Sequence, residues 1–343
     1  MKGLVFEDKG KVALKDVPRP ECTPDSVIIE VEAAGICGSD LHMYAGRWGK
    51  QPEQVVGHEF SGKVIEVGED VEGIALGDRI CSECFRHCGT CRQCQTGLYN
   101  LCTNREFTSS GKITGAFTEY AKIPGTSAFK MPEGATVGQT ALVEPLAVAA
   151  RAASLSGAKP GDFAVVIGGG TIGLLCAAVL KARMRLQCLA VVKYDHQAEI
   201  ARKLGVDHAH NVTQGKTADA MKELAGDRLA DVVIDTVGST IAVADAAELV
   251  RVAGAVCFVA MPGGRTIMPM RAIVGKEIRI VGSCCYGYSN GRKDFDSAIE
   301  LIMSGALPAE TIITHRFPLD QGAEAFAIAA DKKSGSVKVL LEM

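Results

Sequence analysis

The sequence has no marked excess of charge of either sign. Its 37 lysines and arginines nearly balance 40 aspartates and glutamates, and the net charge is −3. A near-neutral chain gives no electrostatic reason to expect nucleic acid or an anionic membrane surface as its main partner. Because 47% of the residues are hydrophobic and 22% are charged, the composition also excludes a largely disordered chain.

Cysteine is too scarce for a disulfide-stapled scaffold, which would need roughly 8–10% cysteine in a short chain. The 343 residues include 13 cysteines, and the segment from Cys81 to Cys102 is rich in them. An odd number of cysteines, clustered within a long chain, favours metal binding in a reducing compartment. The first residues also lack the apolar region of a signal peptide, so we expect a cytoplasmic protein.

A membrane span is not expected either. One uncharged stretch, residues 163–180, reaches the roughly 18 residues at which a transmembrane helix is considered. Its middle, however, holds Gly168, Gly169, Gly170 and Gly173, a pattern that a ligand-binding loop explains better. We therefore expect a small molecule as the partner, and neither a membrane nor a nucleic acid.

The hydrophobic pattern changes along the chain and predicts an α/β fold. Short alternating segments, such as residues 26–33 and 63–67, predict a β-rich domain with a small barrel-like core. From about Ala141 onwards, apolar strand-like segments alternate with helical ones, which predicts a doubly wound parallel sheet. The chain then returns to a mixed pattern that ends in a predicted strand at 337–341.

A glycine-rich loop follows the predicted strand 163–167 and opens a predicted helix. Its sequence matches GxGxxG in the strand-to-helix setting that gives this motif its meaning. The first glycine permits a tight turn, the second lets a pyrophosphate approach, and the third lets helix and strand pack closely. Amide N–H groups at the start of the helix complete an anion site. We predict that a dinucleotide binds at Gly168, Gly170, Thr171, Ile172 and Gly173.

The end of the next strand bears on the choice between NAD and NADP. An acidic residue there normally holds the ribose 2′-hydroxyl of NAD. Counting back from Gly205 places Val192 at that position, followed by Lys193. A neutral residue and a cation remove the repulsion against a 2′-phosphate and supply a partner for it, which favours NADP. The alternative is that Asp195 holds the ribose and Lys193 is only solvated.

Four cysteines have the spacing of a metal site: Cys88, Cys91, Cys94 and Cys102. Four thiolates can surround one tetrahedral Zn²⁺ with no open position, so this site is predicted to be structural. The residues between them are too polar for four reduced cysteines buried in a core. An iron–sulfur cluster is the chemical alternative. Cys81 and Cys84 are possible competing ligands.

A second group of metal ligands has the composition of a catalytic site. Cys37, His58 and Glu59 supply a thiolate, an imidazole and a carboxylate, and three ligands leave one zinc position open for water or substrate. Glu144, beside Pro145 in an otherwise apolar predicted helix, is a candidate fourth ligand or supporting carboxylate. Taken singly, each of these residues also has an ordinary structural explanation.

Two further residues near Cys37 are candidates for moving a proton. Ser39 and His42 are three positions apart, so they share one face if this segment is helical. A serine hydroxyl near a metal-bound oxygen could pass a proton outward to the histidine. Alternatively, Ser39 or Asp40 simply caps the helix, and both roles are compatible.

Together these motifs resemble those of the zinc-dependent medium-chain dehydrogenase/reductase family. Residues 57–71 look like the zinc signature of that family, and the other motifs follow in the family order. The resemblance covers essentially the whole chain. It implies a GroES-like β-rich catalytic domain formed by residues 1–145 and 284–343. It also implies an intervening Rossmann domain of residues 146–283, and assembly into homodimers or homotetramers.

Within that family, Glu59 beside His58 and the Glu144–Pro145 pair look most like the polyol branch of sorbitol and butanediol dehydrogenases. Threonine dehydrogenase is similar too. The resemblance implies a zinc-dependent oxidoreductase that interconverts a secondary alcohol (a polyol, diol or sugar alcohol) and a ketone with NAD(P). It implies two zinc ions per chain, one catalytic and one structural. By the same analogy, five residues would line the nicotinamide: Val259, Ala260, Met261, Ser283 and Cys284.

Two departures from the family pattern affect the cofactor and the substrate. Val192 replaces the usual aspartate, which puts a preference for NAD in question. Cys284-Cys285-Tyr286 stands where sorbitol enzymes tend to carry an arginine, which puts a sorbitol-like substrate in question. An amino-acid dehydrogenase similar to L-threonine 3-dehydrogenase is one alternative. The other is a protein that binds zinc and NAD(P) without catalysis.

Overall fold

A computed structural model describes residues 1–47, 54–108, 113–262 and 264–343. The chain forms two compact units. One comprises Met1–Glu144 together with Ile313–Met343, and the other comprises Pro145–Ile312. The chain therefore leaves the first unit once and returns to it near its end.

The first part of the discontinuous unit consists mainly of strands. The strands are β1 (Lys2–Asp8), β2 (Lys11–Asp16), β3 (Ser26–Gly35), β4 (Glu59–Val67), β5 (Arg79–Ser82), β6 (Phe85–Arg86), β7 (Glu106–Phe107), β8 (Tyr120–Pro124) and β9 (Ala128–Lys130). The helices are α1 (Gly38–Tyr44), α2 (Arg92–Gln95) and α3 (Val137–Ala141), with 3-10 turns at Tyr99–Leu101 and Gly125–Ser127.

The continuous unit alternates helices and strands. Its elements are α4 (Val143–Ser156), whose first turn holds the unit boundary, then β10 (Phe163–Ile167), α5 (Thr171–Met184), β11 (Gln187–Val192), α6 (Asp195–Lys203), β12 (His208–Asn211), α7 (Thr217–Ala225), β13 (Ala230–Asp235), α8 (Thr240–Leu249), β14 (Val250–Phe258), α9 (Met270–Gly275), β15 (Arg279–Gly282), β16 (Tyr288–Ser289), β17 (Arg292–Lys293), α10 (Asp294–Met303) and a 3-10 turn at Ala309–Ile312.

The chain then adds a final segment to the discontinuous unit. This segment contains β18 (Ile313–Pro318), a 3-10 turn at Leu319–Gln321, α11 (Gly322–Ala330) and β19 (Lys338–Glu342). The seven-stranded sheet of this unit has the order β18-β19-β3-β4-β5-β9, with β8 also paired to β3. β19 lies antiparallel to β3 and pairs Leu340 with Gly35, so the chain's last strand is built into its earliest large sheet.

The continuous unit contains a six-stranded sheet in the order β12-β11-β10-β13-β14-β15, and all its strand pairs are parallel. The first strand of this unit, β10, lies in the middle of the sheet. β11 and β12 extend the sheet on one side, and β13, β14 and β15 extend it on the other. The switch point therefore lies between β10 and β13, where parallel sheets of this kind bind dinucleotides. The predicted α/β class and doubly wound sheet are confirmed.

The return to the β-rich unit comes later than predicted. We expected it at residue 284, whereas the structure places it between Ile312 and Ile313. The intervening segment packs on the parallel-sheet unit, because the turn at Ala309–Ile312 contacts α6. In the same region, the Arg151 guanidinium donates to the backbone carbonyl of Tyr288. The local hydrophobic pattern of the sequence gives no sign of these long-range contacts.

Apolar burial gives each unit its own core. In the discontinuous unit, Phe6, Phe117 and Phe326 pack edge to face with ring centroids 5.5 and 5.6 Å apart. In the continuous unit, the strands bury unbroken apolar runs such as Phe163–Ile167, as expected for a parallel sheet covered on both faces. Within the part of the chain that the structure describes, no helix is long and apolar enough to cross a bilayer.

Candidate metal centres and dinucleotide site

The structure brings the predicted thiolate, imidazole and carboxylate together. One ligand atom each from Cys37, His58 and Glu59 lies within 4.8 Å of the other two. Glu59 is 1% exposed, whereas Cys37 and His58 are half-buried. A donor set of one sulfur, one nitrogen and one oxygen suits Zn²⁺, and three protein donors leave a coordination position for a further ligand.

The ends of two paired strands create this arrangement. Gly35 ends β3 and pairs directly with Glu59, the first residue of β4. A Cβ atom on Gly35 would lie 2.5 Å from the Glu59 carboxylate, so only glycine leaves room for that carboxylate. Cys37 follows two residues later and is the N-cap of α1. The pairing of β3 with β4 therefore sets the distance between thiol and carboxylate.

The start of α1 differs from both capping predictions. Cys37 occupies the N-cap, rather than Ser39 or Asp40. The Asp40 carboxylate instead reaches back and accepts a hydrogen bond of 2.8 Å from the Cys37 amide. Its other oxygen lies 3.8 Å from His58 Nδ1, so one buried carboxylate lies close to two of the three candidate metal-binding residues.

The electrostatics of the cluster favour a cation. Burial by itself disfavours protonated His58, but the neighbouring Cys37 and Asp40 charges outweigh it and raise the His58 pKa well above its usual value. The same site holds the buried Asp40 oxygen Oδ1, which has no hydrogen-bond partner among the described residues. A divalent metal ion would supply positive charge next to the negatively charged Cys37 and Asp40 groups, so the residues fit zinc.

Lys338 is a member of the site that the sequence reading missed. Its ammonium group contacts the Glu59 carboxylate and donates a hydrogen bond of 3.0 Å to the Ile36 carbonyl. Both Lys338 and Glu59 are 1% exposed, and they lie 279 positions apart. The one sequence signal was a lysine inside an otherwise apolar terminal strand. The contact orients Glu59 and compensates its charge.

Replacing Lys338 with methionine should lower the free energy of unfolding by roughly 3–5 kcal/mol, because it leaves the Glu59 carboxylate buried without its cation. Lys338→Arg should retain most of the stability, since it keeps the positive charge. Urea unfolding followed by circular dichroism measures both variants. A Lys338→Met protein as stable as the wild type would show that the pair contributes nothing to the fold.

Glu144 lies near the cluster but is not one of the three residues whose ligand atoms come together. It occupies the first turn of α4 and is 5% exposed. Burial raises the pKa of Glu144 to about 7, while the His58 charge acts in the opposite direction. Its carboxylate therefore lies at the edge of the site. A direct bond from Glu144 to the metal stays a prediction.

Ser39 and His42 both lie on α1, as predicted for a shared helical face. The Ser39 hydroxyl oxygen is buried and has no hydrogen-bond partner within the described ranges. His42 is half-buried, and its Nδ1 lies 3.4 Å from the guanidinium of Arg47. Burial and the Arg47 charge lower the pKa of His42, which favours the neutral imidazole that can accept a proton.

The four predicted cysteines also come together. Ligand sulfurs of Cys88, Cys91, Cys94 and Cys102 all lie within 4.8 Å of one another. The Thr90 amide and hydroxyl lower the pKa of Cys88 to about 5, and the Cys88 amide donates to the Cys102 sulfur at 3.4 Å. Such N–H···S contacts stabilise thiolates, so the set fits a closed tetrahedral zinc site.

Neither candidate competitor belongs to the four-cysteine group found among the described residues. Cys81 lies in β5, is 1% exposed, and burial raises the pKa of its thiol. Its sulfur lies 4.0 Å from the Met131 sulfur, which places it in an apolar environment. Cys84 is half-buried and likewise outside the group.

The glycine loop has the geometry that a dinucleotide site requires. Gly168 follows β10 with φ +123°, a conformation that favours glycine. A Cβ on Gly173 would lie 1.9 Å from the Gly168 carbonyl oxygen, so Gly173 is needed for close packing. A Cβ on Gly170, by contrast, would meet nothing within 4 Å. Thr171 and Ile172 then start α5, and the amide groups at the N-terminus of a helix suit a pyrophosphate.

The second strand ends as predicted from the count along the sequence. Val192 is the last residue of β11 and is 2% exposed, and Lys193 follows it with an exposed side chain. The Asp195 carboxylate accepts hydrogen bonds of 2.8 Å from Asn211 and 2.9 Å from Gln214. The Asp195 carboxylate is therefore engaged with the end of β12 and the residues just after it.

The residues predicted to line a nicotinamide lie at the carboxyl ends of β14 and β15. Val259 directly follows β14, where its amide donates to the Asp235 carbonyl at 2.9 Å, and Ala260 and Met261 continue the segment. The Ser283 amide donates to the Phe258 carbonyl at 2.8 Å, which places Ser283 and Cys284 beside that segment. The Ser283 hydroxyl is buried without a partner in the described structure.

Comparisons with known proteins find two domain families and a full-length relative. Residues 23–133 match the alcohol dehydrogenase GroES-like domain, and residues 171–304 match the zinc-binding dehydrogenase domain. The chain is 31% identical to the sorbitol dehydrogenase of Bacillus subtilis, over 99% of this chain and 97% of that protein.

Two solved structures share the whole fold. One, from Sinorhizobium meliloti, is described as a zinc-binding dehydrogenase bound to NADP and is 30% identical, with a TM-score of 0.88 over 100% of this chain and 99% of that one. The other, from Escherichia coli, is described as a short chain alcohol dehydrogenase in complex with NADH. It is 28% identical, with a TM-score of 0.90 over 100% of this chain and 99% of that one.

Proposed function

Because the chain belongs to the zinc-dependent medium-chain dehydrogenase/reductase family of polyol dehydrogenases, we propose that Cys37, His58 and Glu59 hold its catalytic zinc. The protein is an oxidoreductase that interconverts an alcohol and a carbonyl compound with NAD(P). The observation that carries our assignment is the convergence of three different donor types, two residues from a serine whose buried hydroxyl has no hydrogen-bond partner among the described residues. We place Glu144 at the edge of the same site.

Zinc, when bound, supplies a Lewis acid that makes a substrate hydroxyl more acidic. Ser39 offers the hydrogen-bonding atom that receives the hydroxyl proton, because its oxygen is buried and has no hydrogen-bond partner in the described part of the chain. His42 lies further along α1, is half-buried, and is kept neutral by its surroundings, so it passes the proton towards solvent. Asp40 and Lys338 hold the metal-binding side chains in place. The segments that follow β14 and β15 would hold the nicotinamide, which would supply the acceptor for the carbinol hydrogen as hydride.

A second zinc at Cys88, Cys91, Cys94 and Cys102 is the other part of the metal proposal. Four thiolates leave no open position, so this ion stabilises the segment between β6 and β7 and takes no part in the reaction. We therefore expect two zinc ions per chain. All 13 cysteines are thiols, and two sites built on cysteine fit a reducing compartment, so we place the protein in the cytoplasm. Cell fractionation tests that placement.

The substrate proposal is a secondary alcohol such as a polyol or diol, supported by the likeness to a sorbitol dehydrogenase. The test supplies NAD⁺ or NADP⁺ with polyols, diols, L-threonine and sugar phosphates, and follows absorbance of the reduced cofactor. A rate with one polyol or diol supports the proposal. A rate with L-threonine alone would assign an amino-acid dehydrogenase instead. No rate with any alcohol, in protein that carries both zinc ions, would argue against catalysis.

NADP is the proposed cofactor, because Val192 offers no carboxylate to a ribose and Lys193 offers a cation to a 2′-phosphate. Val192→Asp should lower the ratio of kcat/KM for NADP⁺ to that for NAD⁺ by about 100-fold, since a carboxylate there repels the phosphate. Lys193→Ala should lower it by about tenfold, through the loss of one charge-assisted contact. A wild-type enzyme that prefers NAD⁺ would contradict the assignment.

A homodimer is the proposed assembly. β15 ends the six-stranded sheet, and its Ile280 side chain is 42% exposed. Next to it in the chain, α9 exposes Met270 and Val274, at 58% and 70%. An apolar edge strand pairs readily with a second copy of itself. Light scattering should give twice the chain mass of 36.1 kDa. A monomer would contradict the proposal, and a tetramer would require a second interface.

A further inference from the structure

Two adjacent cysteines lie where β15 ends. Cys284 and Cys285 are both half-buried thiols, and their sulfur atoms are 3.8 Å apart. Neighbouring side chains in an extended strand point to opposite faces, which would separate the two sulfurs. Cys285 instead has φ +51°, in the left-handed region. This turn brings both thiols to the same side of the chain.

The surrounding contacts hold that uncommon conformation. The Ser283 amide is fixed on the Phe258 carbonyl before the pair. After it, Tyr286 is fully buried against Phe295, with ring centroids 4.7 Å apart, and the Asp294 carboxylate accepts a hydrogen bond of 2.8 Å from the Gly287 amide. A non-glycine residue in this region costs free energy, and such residues cluster at ligand clamps and switches.

The pair also lies at a functional edge of the sheet. Carboxyl ends of parallel strands face the same side, so the turn after β15 shares an edge with the Gly168 loop after β10 and the Val259 segment after β14. Ligands of doubly wound sheets bind at this edge. A covalent change at Cys284 or Cys285 therefore alters the surface that a dinucleotide contacts.

We propose that Cys284 and Cys285 form a reversible oxidation site, in which the two thiols close a disulfide between neighbouring residues. The oxidant is a low-molecular-weight disulfide of the glutathione type. One cysteine thiolate attacks it, forms a mixed disulfide and releases one thiol. The second cysteine then displaces the other thiol. The protein loses two electrons and two protons, and the oxidant is reduced to two thiol molecules.

Geometry makes this disulfide a labile one. Consecutive Cα atoms are fixed about 3.8 Å apart across a trans peptide bond. Ordinary disulfides join Cα atoms roughly 4.4–6.8 Å apart, and departures from that range store strain that makes the bond easier to reduce. Strained disulfides are the labile and regulatory ones. The pair is therefore suited to a cycle of oxidation and reduction rather than to stabilising the fold.

Closing the ring should weaken dinucleotide binding, a consequence that rests on the proposed function. At least one sulfur must move, because the present separation is 3.8 Å and a disulfide requires about 2.05 Å. The backbone between Ser283 and Tyr286 must follow, since the ring contains the Cys284–Cys285 peptide bond. We expect the Kd for the reduced cofactor to rise about tenfold, as for the loss of one or two hydrogen bonds.

Mass spectrometry tests the oxidation itself. Zinc-loaded protein is treated with oxidised glutathione, remaining thiols are alkylated, and trypsin releases residues 280–292, a peptide whose only cysteines are Cys284 and Cys285. The proposal predicts an unalkylated peptide lighter than the dithiol form by two hydrogen atoms, and return to the dithiol form after dithiothreitol. Cys284→Ser and Cys285→Ser should each give a stable glutathione adduct instead. A wild-type peptide that stays fully alkylated, or retains glutathione, would overturn it.

Cofactor binding by the oxidised and reduced forms, followed by NADPH fluorescence, tests the consequence. The double variant with serine at both positions should bind with the same affinity before and after oxidation. Equal affinity of oxidised and reduced wild-type protein would overturn the effect on the cofactor. Because the peptide mass does not depend on turnover, a protein that oxidises no alcohol but forms the ring would contradict the proposed function and leave the oxidation site supported.

Discussion

Replacing Cys37 with serine should lower alcohol-dependent formation of reduced cofactor by at least about 1,000-fold. A serine hydroxyl is a poor zinc ligand at neutral pH, whereas a thiolate is a strong one. Lewis-acid stabilisation is worth several kcal/mol in the transition state, and each 1.36 kcal/mol is a factor of ten in rate. Metal analysis should find one zinc per chain in place of two, because the four-cysteine site is untouched.

Cys22→Ser is the matched control for that experiment. Cys22 is a half-buried thiol of the same unit, and its sulfur lies 3.4 Å from the Ser26 carbonyl, outside both metal groups. This variant should keep two zinc ions and wild-type activity. Cofactor binding should survive in the Cys37→Ser protein, because the glycine loop belongs to the other unit. Full activity in Cys37→Ser protein with one zinc would refute the proposed site.

Gly170→Ala should weaken cofactor binding by about 100-fold while the protein stays folded. A Cβ at this position meets no protein atom within 4 Å, so the fold should lose no more than about 1 kcal/mol of stability. The same methyl group would occupy the place where a pyrophosphate approaches the backbone. Losing one or two hydrogen bonds to a charged group, at roughly 1.5–3 kcal/mol each, gives the expected factor.

Gly173→Ala separates this effect from a packing effect. Its Cβ would lie 1.9 Å from the Gly168 carbonyl oxygen, so the loop and α5 must move apart. We expect that variant to lose roughly 1–3 kcal/mol of stability, as overpacked variants do. Thermal unfolding and fluorescence titration with the cofactor distinguish the two proteins. Wild-type affinity in Gly170→Ala would show that no pyrophosphate approaches this glycine.

Features encoded over short spans were predictable from the sequence. The four cysteines lie within 15 residues, and the four glycines of the loop lie within six, so local spacing was enough to group them. Short apolar runs on either side of the glycine loop likewise predicted β10, α5 and β11, since the glycines mark where the first strand ends and the helix begins. The doubly wound sheet follows from their alternation.

Contacts between distant parts of the chain were not predictable in the same way. Lys338 meets Glu59 only because β19 pairs with β3, and one sequence carries no sign of that register. The late unit boundary has the same cause, since residues 284–312 pack on the parallel-sheet unit through contacts such as Arg151 with Tyr288. The N-cap at Cys37 was missed because propensity favours serine or aspartate, and a nearby carboxylate overrides it.

The most direct test of the central claim is the transfer of a deuterium label. The best alcohol from the substrate panel, deuterated at its carbinol carbon, is incubated with the enzyme and the oxidised cofactor, and the reduced cofactor is analysed by mass spectrometry. Direct hydride transfer predicts one deuterium in each reduced nicotinamide and none released to water. Reduced cofactor without the label would contradict hydride transfer from the alcohol, and with it the reaction proposed for this site.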